Sequence, residues 1–449
     1  MADDTRPLFG ATDNLLSLPF ANPFVGLRPF KTEESQLFFG RDEQIIDLLS
    51  QLHRTRFLAV VGSSGCGKSS LIRAGLIPKL KAGFLVEDRD LWLTATMKPG
   101  DAPLRNLAAA LLEATGGGGS GQESDQGSDQ EIDALTKQLR QFGAEAVTMR
   151  LTPVLSDSSS NLLLLIDQFE EIFRFGVESN DAEKREEAED FIALMLELAD
   201  QKQLPIYVVL TMRSDFLGDC DNFYGLPEAM NRSQYLVPRP TRQQRQQAIE
   251  GPIRLFGAQI TPRLLDRVLN DVGDKSDQLP VMQHALMRTW EWWEFECAKA
   301  RRKDEENPQS AIRNPQSLLV DVQHYKDAGT ITDALSKDAD AALKGLSDDE
   351  LKITERMFQA LTDTDENNRR IRRPAHLTEI CAITEADPEK VRAIIERFTT
   401  NGRSFLTVSE GSEAGDPLID ISHESLIRQW KRLGEWIDAE NTSREIYKR

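Results

Sequence analysis

Cysteine is scarce. The four thiols, Cys66, Cys220, Cys297 and Cys381, are scattered through 449 residues. No two sit at a metal-ligand spacing and they form no disulfide framework, so they are read as reduced thiols of a cytoplasmic protein. Long apolar runs are missing too: none approaches the ~20 residues that span a bilayer, which argues against a membrane partner. The start, MADDTRPLFG, is acidic and lacks the basic-then-apolar order of a signal peptide. No long-period repeat is present, which excludes a solenoid or propeller. Positive charge is in deficit, with 54 Lys+Arg against 73 Asp+Glu and a net charge of −19. Such a field repels phosphate polymers and anionic lipid, so nucleic acid is not an expected partner. The local group Arg369, Arg370, Arg372 and Arg373 is read as a solvated face or an intramolecular contact.

What is present is the composition of a folded chain, 40% hydrophobic and 28% charged. The length suggests roughly three domains. Residues 1–21 lack periodicity and are expected to be a loose tail. Short apolar runs predict strands at Phe57–Val61, Leu91–Ala95, Leu162–Ile166 and Ile206–Leu210, with an amphipathic helix over Ala182–Gln201 between the last two. Strands alternating with helices predict a parallel sheet covered on both faces, over residues 22–240. The tract 116–130, GGGGSGQESDQGSDQ, cannot supply a core and is expected to be a flexible insertion. From Thr241 the pattern is helical, predicting a helical lid over 241–345 that includes a loop at 306–317. Residues 346–440 follow the order helix, helix, helix, strand, strand, the outline of a winged helix, and 441–449 form a C-terminal tail. Its last two helices are placed at Pro374–Cys381 and Pro388–Asn401. The strands Phe405–Ser409 and Leu418–Ser422 flank the polar turn 410–416.

The most specific signal is Gly62-Ser63-Ser64-Gly65-Cys66-Gly67-Lys68-Ser69, between a predicted strand and a predicted helix. Glycines let such a loop curl so that several N–H groups face phosphate oxygens, and the helix N-terminus adds its positive dipole end. With Ser70 behind them, these residues are expected to bind ATP or ADP. Lys68 suits the β- and γ-phosphates, and the Ser69 hydroxyl suits Mg²⁺. Asp167 ends the most apolar strand, as the Walker B carboxylate that holds the Mg²⁺ shell should. Glu170 and Glu171 follow it as two candidates to polarise the attacking water. Arg213 follows the Ile206–Leu210 strand, whose end points to the same crevice, so it is placed to meet the γ-phosphate. No N/T-K-x-D tetrapeptide stands where a guanine-specific loop would be, which favours adenine.

Three blocks together resemble a known family. They are Asn22-Pro23-Phe24-Val25-Gly26-Leu27-Arg28-Pro29-Phe30, Phe38-Phe39-Gly40-Arg41-Asp42 and Leu165-Ile166-Asp167-Gln168-Phe169-Glu170-Glu171. In order and spacing they resemble the novel STAND NTPase 1 family, signal-transduction ATPases related to NACHT and NB-ARC proteins. The resemblance implies an ASCE/AAA-like α/β P-loop NTPase followed by a helical lid domain and a winged-helix domain. It further implies that Phe39, Gly40 and Arg41 lie over adenine and ribose, that Pro280 packs near the base, and that His423 touches the ADP β-phosphate in a closed state. A switch is the implied activity: ATP binding and slow hydrolysis control conformation and self-association. Effector and sensor proteins are the implied partners, in prokaryotic defence or signal transduction. A continuously cycling AAA-type remodelling ATPase and a winged-helix DNA-binding regulator are the competing expectations.

Overall fold

The computed structural model describes residues 21–83, 89, 91–116, 125–156, 159–177, 181–273, 278–306, 319–364, 370–400, 402–409 and 416–447. The expected tail up to residue 20, the tract 307–318, the turn 410–415 and Arg369 lie outside them. So does the first part of the expected insertion. Its second part is not a loop, because a helix begins at Asp125 and runs to Phe142. Asp129 and Asp133, one turn apart on that helix, both pair with Arg105. The amphipathic pattern of the residues that follow extends backwards through a polar stretch once such pairing is available.

Five parallel strands form the central sheet: β1 (Phe57–Gly62), β2 (Leu91–Met97), β3 (Ser160–Ile166), β4 (Ile206–Arg213) and β5 (Gln234–Leu236). Their order is β2-β3-β4-β1-β5. Four of them contain the predicted runs, and β5 is a short edge strand with too little apolar pattern to be read. Alternation within β1, β3 and β4 divides the core. Phe57, Ala59, Val61, Leu162, Leu164 and Ile166 pack against the helices of one face. Leu58, Val60, Leu163, Leu165 and Val209 meet helix Asp42–Thr55 and the phosphate-loop helix on the other. Burial on both faces is why these strands read as unbroken apolar runs. This is the α/β P-loop NTPase fold, with β4 inserted between the phosphate-loop strand and β3.

A second core belongs to the lid, around Ile249, Leu264, Leu286 and Trp290. Thr241 and Gln244 form a capping box that starts its first helix, Arg242–Leu255. The lid is not wholly helical: Gln259–Ile260 and Leu319–Val320 pair as short parallel strands. Phe24, Val25, Phe30 and Leu37 join this core and Leu27 joins the next, so residues 24–37 pack as a strap on the lid and C-terminal unit. The third core centres on Phe358, Phe398 and Trp430, whose rings meet edge to face at 4.9 and 5.0 Å around Phe358. It covers a three-stranded antiparallel sheet of Ala375–His376, Leu418–Ile421 and Leu406–Ser409; the sequence predicts the last two strands and not the first. One antiparallel pair, Thr362–Thr364 with Arg370–Arg372, is not legible in the sequence. Among the described residues no helix is long and apolar enough to cross a membrane.

Candidate nucleotide-binding site

β1 delivers the glycine-rich loop to the carboxyl edge of the sheet, where Gly62 is in register with Arg213 at the end of β4. Gly67 takes a φ of 93°, a left-handed turn that glycine accepts without the cost borne by a side chain, and the helix begins at Lys68. The Lys68 ammonium folds over the loop and donates to the carbonyls of Gly62 and Ser63 at 2.9 and 3.0 Å.

Asp167, one residue past β3, is 2% exposed. Its Oδ1 accepts hydrogen bonds from Ser69 Oγ at 2.8 Å and Thr211 Oγ1 at 2.6 Å. Its Oδ2 faces Arg73 Nη2 at 2.8 Å. Burial works to raise the Asp167 carboxyl, but the Arg73 charge and the Thr211 and Ser69 hydroxyls outweigh it and hold the group below its ordinary value. The next residue, Gln168, has a φ of 59°, and its N–H donates to Thr211 Oγ1. That turn sends Phe169 into the core and brings Glu170 to the cleft.

The two glutamates then part. Glu170 lines the cleft and accepts the Arg213 backbone N–H at 3.2 Å. Glu171 accepts the Gly100 N–H at 2.9 Å, on the far side of Asp167 next to the end of β2. Burial, helped by the charges of Glu170 and Asp420 and opposed by Lys98 and Gly100, pushes its carboxyl up to about 7. Sequence left the two equivalent; position separates them.

One cleft of about 340 Å³ runs beneath the strap, the loop, the lid and the C-terminal unit. Phe39, Gly40, Arg41, Ser64, Gly65, Cys66, Gly67, Lys68, Ser69 and Ser70 line it, together with Asp167, Glu170, Arg213, Pro280 and His423. Gly62, Ser63 and Glu171 do not. The Phe39 ring lies on Gly251 of the first lid helix, where a Cβ would stand 2.5 Å from it. Two Arg41 nitrogens donate to the carbonyls of Pro238 and Cys66, at 2.9 and 3.2 Å, so this side chain braces the loop. The strap closes over the same loop, its Phe30 N–H donating to Ser70 Oγ at 3.2 Å.

The C-terminal unit reaches in with Ser422, His423 and Glu424. His423 caps the helix Glu424–Gln429, and its Nδ1 accepts the Ser425 N–H at 3.1 Å. A neutral ring then carries its proton on Nε2, which is a donor. Glu424 is buried and bonds Arg213 Nη1, while Arg213 Nη2 pairs with Asp215 at 2.6 Å. Burial alone would raise the Glu424 carboxyl; Arg213, Arg372 and Arg428 hold it low. Sequence reasoning grouped Arg372 with Arg369, Arg370 and Arg373 as a solvated face or an intramolecular contact; it is half-buried on the short strand Arg370–Arg372, paired with Asp420, and it also lines the cleft, which the sequence did not indicate. Five buried polar atoms of cleft-lining residues lack a partner among the described residues: Gln168 Oε1, Gln283 Oε1, Ser422 Oγ, Arg73 Nε and Arg213 Nε. Orphaned donors and acceptors around one cavity fit a polar ligand that satisfies them.

Among solved structures, the chain is similar to the ORC2 protein of Aeropyrum pernix in ADPNP–ADP complexes, with 13% identity, 96% of this chain and 98% of that chain covered, and a TM-score of 0.43. It is also similar to Drosophila ORC bound to DNA, at 12% identity, 96% and 95% coverage and a TM-score of 0.38. Cdc6p from Pyrobaculum aerophilum shares 11% identity over 89% of this chain and 94% of that chain, with a TM-score of 0.34. No curated protein matches. Residues 23–449 match the family described as Novel STAND NTPase 1. The chain belongs to that family and is a P-loop ATPase.

Proposed function

We propose that this ATPase works as a two-state switch in which the identity of the bound nucleotide, ADP or ATP, sets whether the C-terminal unit stays docked on the loop. The observation that carries the reading is the bond between Arg213 and Glu424. Arg213 stands in register with the start of the phosphate loop, where a γ-phosphate is read, yet its guanidinium holds the residue next to His423. A γ-phosphate and Glu424 are both anions competing for one guanidinium. ATP therefore weakens the docked state by the differential it makes at Arg213, and ADP leaves that contact in place. His423 adds to the ADP state by donating from Nε2 to the product phosphate.

In the hydrolytic step Lys68 and the loop N–H groups bind the phosphates, and Glu170 accepts a proton from the attacking water. Ser69 and Asp167 fit Mg²⁺: a hydroxyl and an ionised carboxylate stand together, the small protein share of a shell otherwise supplied by phosphate and water. When bound, that ion neutralises developing phosphate charge. Hydrolysis is slow and resets the switch. Release of the C-terminal unit exposes a surface for self-association and for effector or sensor proteins, in defence or signalling.

Size-exclusion chromatography with light scattering tests this, comparing ADP with a non-hydrolysable ATP analogue. The expected result is a compact monomer in ADP and a larger species in the analogue. An identical profile in both would remove self-association from the account.

A further inference from the structure

Asp167 already has a cation on it. Arg73 stands one turn beyond Ser69 on the phosphate-loop helix, and its Nη2 sits 2.8 Å from Asp167 Oδ2. The helix is α over Lys68–Ser70, π over Leu71–Leu76 and α again over Ile77–Lys81, so Arg73 lies in the widened turn. Single π turns of this kind recur at functional sites. Both hydroxyl donors, Ser69 and Thr211, use Oδ1, leaving Oδ2 to the guanidinium. The Arg73 side chain lines the cleft, and its Nε–H is buried without a partner among the described residues. A guanidinium offers five N–H donors in a plane, so one edge can hold a carboxylate while another meets a phosphate oxygen. A bridge from this carboxylate to phosphate is the job usually given to Mg²⁺.

Mg²⁺ sheds water reluctantly and demands near-octahedral geometry. To reach Asp167 directly it has to displace a short, charge-assisted contact. A triphosphate helps it do so, because β- and γ-oxygens chelate together; a diphosphate offers less. We propose that Arg73 is a resident cation that replaces Mg²⁺ in the ADP state: ADP binds metal-free, bridged to Asp167 by Arg73, and only the triphosphate brings Mg²⁺ in and moves Arg73 off the carboxylate. This rests on the cleft being the nucleotide site and adds what distinguishes its two states chemically.

The test is calorimetric titration of ADP into the nucleotide-stripped full chain, with Mg²⁺ and with EDTA. For the natural chain the two affinities agree within about threefold. In Arg73→Met the affinity in EDTA falls about tenfold or more, the size of one lost charge-assisted hydrogen bond, and Mg²⁺ restores part of it. Arg73→Lys, which keeps the charge without the fork, falls between. Thermal unfolding reports whether each variant folds; if Arg73→Met does not, the natural chain and Arg73→Lys decide. A tenfold or greater loss of natural-chain affinity in EDTA overturns the proposal, as does undiminished metal-free binding in Arg73→Met. Absence of ADP binding in either buffer removes the nucleotide reading itself, a different outcome from metal-dependent binding.

Discussion

Glu170 and Glu171 are neighbours in the chain and face different surroundings. Glu170 sits in the cleft beside the Arg213 N–H, and Glu171 is turned toward Gly100. Glu170→Gln is therefore expected to lower ATP turnover by roughly 10²–10⁴-fold, the range for a general base, while nucleotide affinity is kept. Glu171→Gln keeps most of the turnover and changes stability instead. Its carboxyl is raised from 4.5 to about 7 in the fold, so between those values the folded chain holds a proton that the unfolded chain has lost. Stability contributed by the neutral group is thus full below about pH 4.5 and is lost as pH rises toward 7. Thermal unfolding of the natural chain from pH 5 to pH 8 should show that loss, and Glu171→Gln should flatten it. Equal turnover losses in the two variants would contradict the assignment.

At the scale of elements, the packing of the segment just after the strap on the first lid helix depends on a backbone approach that no side chain permits. Gly40 has a φ of 81°, and a Cβ there would stand 2.3 Å from the Gln244 carbonyl. Gly40→Ala combines left-handed strain of about 1–2 kcal/mol with that clash, so it should lower the unfolding midpoint and weaken nucleotide binding together. Unchanged values in both assays would show that the close approach of Gly40 to Gln244 does not hold this segment to the lid. Apolar runs made β1 to β4 legible in sequence, because strands buried on both faces have no polar alternation to confuse with a helix. The phosphate loop and Asp167 were legible for the same reason, lying where such a run stops. Arg372 was not: the strands that present it read TDT and RIR, three residues each, stabilised by pairing with one another. The packing of residues 24–37 was not legible because apolar residues carry no label for which core they enter; only tertiary packing assigns Phe24 to the lid and Leu27 to the C-terminal unit. The role of Glu424 was equally hidden, since its partner Arg213 is 211 residues away.

For the whole molecule, the ATPase unit and the C-terminal unit meet through an ion pair in the cleft and a hydrogen bond outside it. Arg213 holds Glu424, and the His376 ring lies 3.3 Å from Asp101 just beyond β2. The first of these involves the group we propose reads a γ-phosphate. A chain that is acidic overall thus spends a half-buried arginine at this interface, where on the proposed switch a third anion, the nucleotide, competes for it. Taking Arg213 from Glu424 leaves a buried carboxylate short of its closest countercharge, so the docked state is open to strong bias from a single phosphate group. Hydrogen–deuterium exchange over residues 418–429, followed in ADP and in a non-hydrolysable ATP analogue, tests this claim most directly. The account predicts strong protection of that segment in ADP and its loss in the analogue, while β1 to β4 remain protected in both. Equal protection of 418–429 under the two nucleotides would contradict it.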